Sequence, residues 1–199
     1  MSSIWYGHGV GDDRDYRLCG DVAGKRALEL GVAETPATIP PNAVTLATLG
    51  AKAIAVDPDG DRIAHLRSAA ADAEVRVECH QSELADLGFA TSGSVDLVLA
   101  TGTLDDVDDL PRLLRQVHRV LRPDAVFVAC LAHPVSAVFD VNGSARQRYG
   151  THVRSIGELF MSLDRSNFRL DVLHEVMPVA DRSALLPSAI LLRARKQGV

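Results

Sequence analysis

The stretch from Lys25 to Asp57 restricts the fold more than any other part of the chain. It reads K-R-A-L-E-L-G, then V-A-E-T-P-A-T-I-P-P, then N-A-V-T-L-A-T-L-G and A-K-A-I-A-V-D. Two short apolar runs, one closing on Glu29-Leu30-Gly31 and the other on Asp57, enclose a connection and a short helical segment. Apolar runs of this length mark strands buried on both faces, as in parallel α/β sheets. A strand, a glycine turn, a helix and a second strand tipped by a carboxylate form a half-site for a ribose-bearing ligand. The carboxylate accepts hydrogen bonds from sugar hydroxyls, and the glycine lets the backbone come close. Asp57 follows Gly31 by 26 residues, slightly beyond the usual spacing of about 20.

The rest of the chain fits this class. Its 199 residues suit a single domain with a large core, residues 1–24 forming an N-terminal segment that reads as a lid over a ligand or as an apolar clamp onto the body, and 25–199 the α/β core. A net charge of −5 argues against a nucleic acid held through its phosphates. Cys19, Cys79 and Cys130 are widely spaced, with no C-x-x-C, and read as reduced thiols of a cytoplasmic protein. The start, M-S-S-I-W-Y-G, shows no basic-then-apolar leader pattern. The most apolar stretch, 125–141, is too short to span a bilayer and is broken by His133 and Pro134, so no membrane partner is expected.

In order, strands are expected at 26–30, 53–56, 75–79, 95–100 and 125–131, with a final pair at 169–176 and 189–194. Helices are expected from Asn42, read as an N-cap, to before Gly50; from Asp59 to about Ala71; over 108–121, stopped by Pro123; and over 155–166. A short helix is expected within 12–18. Alternating strands and helices give a parallel sheet with right-handed crossovers. The last two strands have no helix between them and should pair antiparallel.

This order resembles the class I S-adenosylmethionine-dependent methyltransferases over nearly the whole chain. A-L-E-L-G (27–31) and A-I-A-V-D (53–57) resemble the first two cofactor motifs. H-Q-S-E-L-A-D-L (80–87) is similar to the adenine segment, S-V-D-L-V-L-A (94–100) to the fourth strand, and R-Q-V-H-R-V-L-R-P-D-A (115–125) to the signature before the fifth. The resemblance implies a single Rossmann-like, doubly wound, seven-stranded sheet with the last strand antiparallel and helices on both faces. It implies S-adenosylmethionine as cofactor. Glu29 and Gly31 would lie beneath its sulfonium and methionine part, Ala33 at the second glycine position, and Asp57 with the following Pro58 at the ribose. Glu83 would face the adenine amino group, Leu84 would offer its N–H to the ring, and Ala100 and Thr101 would line the methyl-delivery end of strand four. The sequence departs from the family where G-x-G-x-G should continue: after Gly31 comes V-A-E-T-P-A-T-I-P-P, without glycine. Alanine and proline do not allow glycine's close approach or positive φ.

Methyl transfer to a hydroxyl needs alignment of nucleophile and methyl, and gains from a base. His133, just past strand five, is the base candidate, set against a histidine bonded to local backbone. Asp105 and Asp106 read as a solvated helix start or as acceptor ligands, and His8 and His152 as surface residues near the site. The acceptor, a small molecule, would sit between residues 1–20 and 133–154, which hold Trp5, Tyr6, Phe139, Arg146, Arg148 and Tyr149. No metal pattern is present, and pairing of two copies stays open. The altered loop also allows a scaffold or binding module without turnover. A nicotinamide-dependent reductase is disfavoured, since Tyr6, Tyr16 and Tyr149 are followed four positions on by Val10, Gly20 and Val153, not lysine.

Overall fold

The computed structural model describes residues 3–140, 142–151, 153–179, 181 and 183–198. The chain opens with a hairpin, β1 (Trp5–Gly7) and β2 (Gly11–Asp12), and a single helical turn, α1 (Asp13–Tyr16). There follow β3 (Arg26–Leu30), α2 (Asn42–Thr48), β4 (Lys52–Asp57), α3 (Gly60–Asp72), β5 (Val77–Gln81) and β6 (Val95–Thr101). The remainder is α4 (Leu110–Val120), β7 (Leu121–Ala132), α5 (Ile156–Arg165), β8 (Phe168–Val176) and β9 (Ala189–Lys196). The main sheet has seven strands in the order β5-β4-β3-β6-β7-β9-β8. Only β9 runs against the others, pairing antiparallel with both β7 and β8. This is the expected doubly wound topology with the last strand reversed.

The strands alternate between two cores. Leu28, Leu30, Val98 and Phe127 face α4 and α5, whose buried positions are Leu110, Leu113, Leu114, Val117, Val120, Leu159 and Leu163. On the opposite face α2 and α3 pack over Ala55 through Val44, Ile63 and Leu66. The rest of that face carries no helix. Ile4, Tyr6, Val10, Leu18, Cys19 and Val22 cover Ala27, Leu97, Leu99, Val128 and Leu191 instead.

Local chemistry sets the element ends. Asp59 caps α3 by accepting from the Asp61 and Arg62 N–H groups. Asp109 caps α4 through Arg112 N at 2.9 Å, with Pro111 in the first turn. Ser155 and Glu158 form a reciprocal capping box on α5.

Three expectations need correction. Asn42 is the first helical residue of α2, not its cap. Its amide pairs with the Trp5 backbone, accepting from N at 2.8 Å and donating to O at 2.9 Å. Strand β5 begins at Val77, because Glu74 (φ 54°) turns the chain after α3 and Val75 N still bonds Ala70 O. Strand β7 starts directly after α4 at Leu121, and Asp124 (φ 60°) takes the left-handed conformation that glycine adopts most easily.

Candidate active site

Strand β3 is where the sheet order reverses: β4 and β5 lie to one side and β6 and β7 to the other. Ligands of open α/β sheets bind at the carboxyl ends of the strands at this point. Here the ends open into a cleft of about 730 Å³. Its floor is Gly31, Asp57 with Pro58, and Gly102 with Thr103; its sides are residues 83–86, residues 106–109 with Arg112, and Arg62.

Asp57 is 2% exposed at the tip of β4. Its Oδ2 accepts the Val32 N–H at 2.7 Å and its Oδ1 accepts the Asp59 N–H at 2.8 Å. These two bonds fix the carboxylate and leave a further lone pair on each oxygen. Arg62 approaches from α3, 3.9 Å from Asp57, 3.5 Å from Glu34 and 3.8 Å from Asp59.

Glu29 is fully buried in β3. Its Oε2 accepts the Ala43 N–H at 2.7 Å, supplying the cap that Asn42 does not give α2. Its Oε1 has no partner among the described residues. Burial pushes the acid up to about 8 against the pull of the Ala43 N–H, and the Asp57 charge adds to the rise. At neutral pH Glu29 therefore carries a proton and offers an O–H donor.

Gly31 has φ 73°, and a Cβ there would lie 2.6 Å from Cβ and Cγ2 of Thr103. Thr103 donates from Oγ1 to Leu30 O at 2.6 Å. It forms, with Arg62 and Gly102, a wall shared with a second cavity of about 280 Å³. That cavity lies under the hairpin and is lined on its other sides by Trp5, His8, Ala33, Glu34 and Thr101, among others.

The sequence-selected residues distribute as follows. Gly31, Asp57, Pro58, Glu83 and Leu84 meet at the first cleft. Ala33 and Thr101 line the second cavity, and Glu29, fully buried, lines neither. Ala100 is fully buried in the α4 core and lines neither. His133 is 4% exposed and likewise lines neither. Its Nδ1 accepts the Val135 N–H at 3.1 Å, so its Nε2 carries the proton and donates to Glu175 at 2.8 Å. Both ring nitrogens are thus engaged, Nδ1 by the local backbone and Nε2 by Glu175.

Of the 133–154 stretch, Arg146 pairs with Asp140 at 2.9 Å, and the Tyr149 hydroxyl accepts the Ile156 N–H at 3.3 Å. Phe139, Arg148 and these two line neither cavity, and His152 lies outside the described residues. Asp105 accepts the Ala132 N–H, and burial raises its pKa, while Asp106 lines the cleft. Arg154 braces this acidic loop by donating to the carbonyls of Leu104, Val107 and Asp108. No group of three or more His, Cys, Asp or Glu suited to a metal occurs among the described residues. The 32–41 loop stays out of the main cleft: Thr38, Ile39 and Pro40 line a separate depression beside Trp5. Arg62 and Thr103 are the site residues that sequence reasoning missed. Arg62 was detectable as a cation in the first turn of a helix capped by Asp59; nothing local marks Thr103.

A sheet whose order reverses at β3, with a glycine turn and a strand-tip carboxylate opening on one cleft, is a Rossmann-like arrangement. Residues 41–129 match the model of the family described as "Methyltransferase domain". Among solved structures, an S-adenosylmethionine-dependent methyltransferase from Mesorhizobium loti superposes with a TM-score of 0.71 at 22% identity, over 91% of this chain and 95% of that one. Geranyl diphosphate C-methyltransferase from Streptomyces coelicolor gives 0.68 at 11% identity, over 92% and 73%. The cyclase SpnF gives 0.69 at 16% identity, over 100% and 87%. At these identities the likeness is one of fold, and no curated protein matches by sequence. The family model thus matches the central part of the chain, and the likeness of fold to S-adenosylmethionine-dependent methyltransferases extends over nearly all of it. No helix among the described residues is long and apolar enough to cross a membrane.

Proposed function

We propose that the protein is an enzyme that moves a methyl group from S-adenosylmethionine to a small-molecule acceptor. The observation that carries this is Asp57, a buried carboxylate pinned by two backbone N–H groups with lone pairs to spare, at the floor of a 730 Å³ cleft. In this reading Asp57 accepts both ribose hydroxyls. Glu83 and Leu84 receive the adenine from the β5 side. The protonated Glu29, its Oε1 unpaired, donates toward the amino-acid end. Gly31 supplies the turn over which that end passes. The cofactor brings a methyl already activated on a sulfonium, so the protein's part is to bind, orient and exclude water. The altered 32–41 loop was the ground for a non-catalytic scaffold, and it leaves the cleft clear. Three free thiols, Cys19, Cys79 and Cys130, suit the reducing cytoplasm.

Calorimetric titration with S-adenosylhomocysteine tests the reading. Binding in the micromolar range is expected, and Asp57→Asn should weaken it at least tenfold while circular dichroism stays unchanged. Absence of heat at millimolar ligand, or equal affinity in the variant, would refute it.

A further inference from the structure

We propose that the cavity at the amino ends of β3, β6 and β7, at the opposite end of the sheet from the cleft, binds a small organic phosphate monoester. The site stands apart from the methyl-transfer reading and does not depend on it.

The cavity holds about 360 Å³, at the low end of ligand pockets. Lys25, Arg122, Arg193 and Arg195 line it, against the carboxylates of Asp96 and Asp124. Even with Asp171, which pairs with both Arg193 and Arg195, the cations outnumber the acids. This local surplus stands in a chain of net charge −5. The main cleft has the reverse balance, with more carboxylates than cations on its walls. A phosphate is therefore drawn to the far end of the sheet.

The cations are held ready by their own partners. Arg193 and Arg195 lie two apart on β9, so they project from one face of the strand. Beside them β8 breaks register between Leu170 and Val172, and the extra residue, Asp171, accepts the Nε–H of both arginines, at 3.0 Å and 2.7 Å. The Leu18 carbonyl accepts from Nη1 of Arg193, and the Asp124 carbonyl from Nη1 of Arg195. The Nη2 group of each has no hydrogen-bond partner among the described residues. Asp96 is occupied by Arg122 Nη1 at 2.6 Å and by the Arg26 N–H at 2.9 Å. Lys25 is exposed, and its amine forms no ion pair among the described residues. Guanidinium groups already fixed in this way lose little freedom on binding, and their paired N–H groups match the oxygens of a phosphate. Leu18, Pro123, Ala125 and Val126 supply apolar wall. That wall suits the organic part of an ester, which inorganic phosphate lacks.

Calorimetric titration of the full chain tests the site with phenyl phosphate, inorganic phosphate and sulfate as probes. Ionic strength is held constant, and each titration is run with and without saturating S-adenosylhomocysteine. Phenyl phosphate should bind saturably at one site, about fivefold or more tighter than inorganic phosphate because its ring covers the apolar wall. Its affinity should be the same with and without S-adenosylhomocysteine. Lys25→Gln removes a charge that has no structural partner and should weaken binding about tenfold; Arg195→Gln should weaken it at least as much. Lys25→Gln carries the test if Arg195→Gln folds poorly. Saturating phenyl phosphate should raise the melting temperature of the wild type more than that of Lys25→Gln. Absence of heat at millimolar phenyl phosphate would overturn the proposal, as would unchanged affinity in Lys25→Gln. Equal binding of all three probes would mean an adventitious ion only. Competition by S-adenosylhomocysteine would put the phosphate in the main cleft. Either of these results also overturns the assigned site.

Discussion

Glu29→Gln isolates the protonated acid buried in β3. In the native protein its pKa stands at about 8, against 4.5 for the free side chain. The folded state thus holds a proton that the unfolded state has released over that interval. Stability from this group is complete below about pH 4.5, falls as pH rises toward 8, and levels off above it. Each unit is worth about 1.4 kcal/mol. Between pH 5.5 and 8.5 the loss integrates to about 3 kcal/mol, since part has already gone by the lower pH. Glutamine keeps an oxygen for the Ala43 N–H and cannot titrate, so it escapes the loss. Urea unfolding of both proteins at the two pH values measures the difference. With a slope of about 2 kcal/mol per molar urea, the variant's midpoint should gain roughly 1.5 M over the wild type on going from pH 5.5 to 8.5. A midpoint difference that does not change with pH would mean Glu29 is ionised in the folded protein, and the assigned donor role would fall.

Gly31→Ala should cost roughly 2 kcal/mol or more, from the left-handed backbone and the clash with Thr103; adding Thr103→Gly should recover the clash part in thermal melts. His133→Gln should lower stability by about 1–3 kcal/mol through the lost Glu175 and Val135 bonds, yet leave methyl transfer within about twofold. Arg154→Lys cannot reproduce a fork that serves three carbonyls; it should destabilise by about 1–2 kcal/mol and raise the S-adenosylhomocysteine Kd several-fold by calorimetry.

The sheet was legible because its evidence is local. Ala27–Leu30 and Ala53–Val56 are apolar runs, and Asp59 and Ser155 are caps that act within three residues. The strand-tip position of Asp57 followed from the same pattern. What escaped depends on partners far along the chain. Asn42 looks like a cap, but its amide is taken by Trp5, 37 residues away. His133 reads as a base or as a histidine bonded to local backbone, and its partner Glu175 lies 42 residues on. Ala100 and Thr101 read as one strand end, whereas successive side chains point to opposite faces, so Thr101 reaches the hairpin cavity and Ala100 enters the helix core. Thr103 matters only because β3 and β6 lie side by side, which no local window reveals.

The cover over the helix-free face joins the two ends of the chain. Leu18 O accepts from Arg193, 175 residues further on, at 3.5 Å. Tyr16 rests on His174, and Gly9 O receives the Val179 N–H. Such distant closures come last, because the intervening loop must be ordered before they return anything. Until β9 is in place, the oily residues of this cover and of the strands it shields remain open to one another's copies in neighbouring molecules. The protein should therefore be hardest to refold at high concentration, and its yield should rise on dilution.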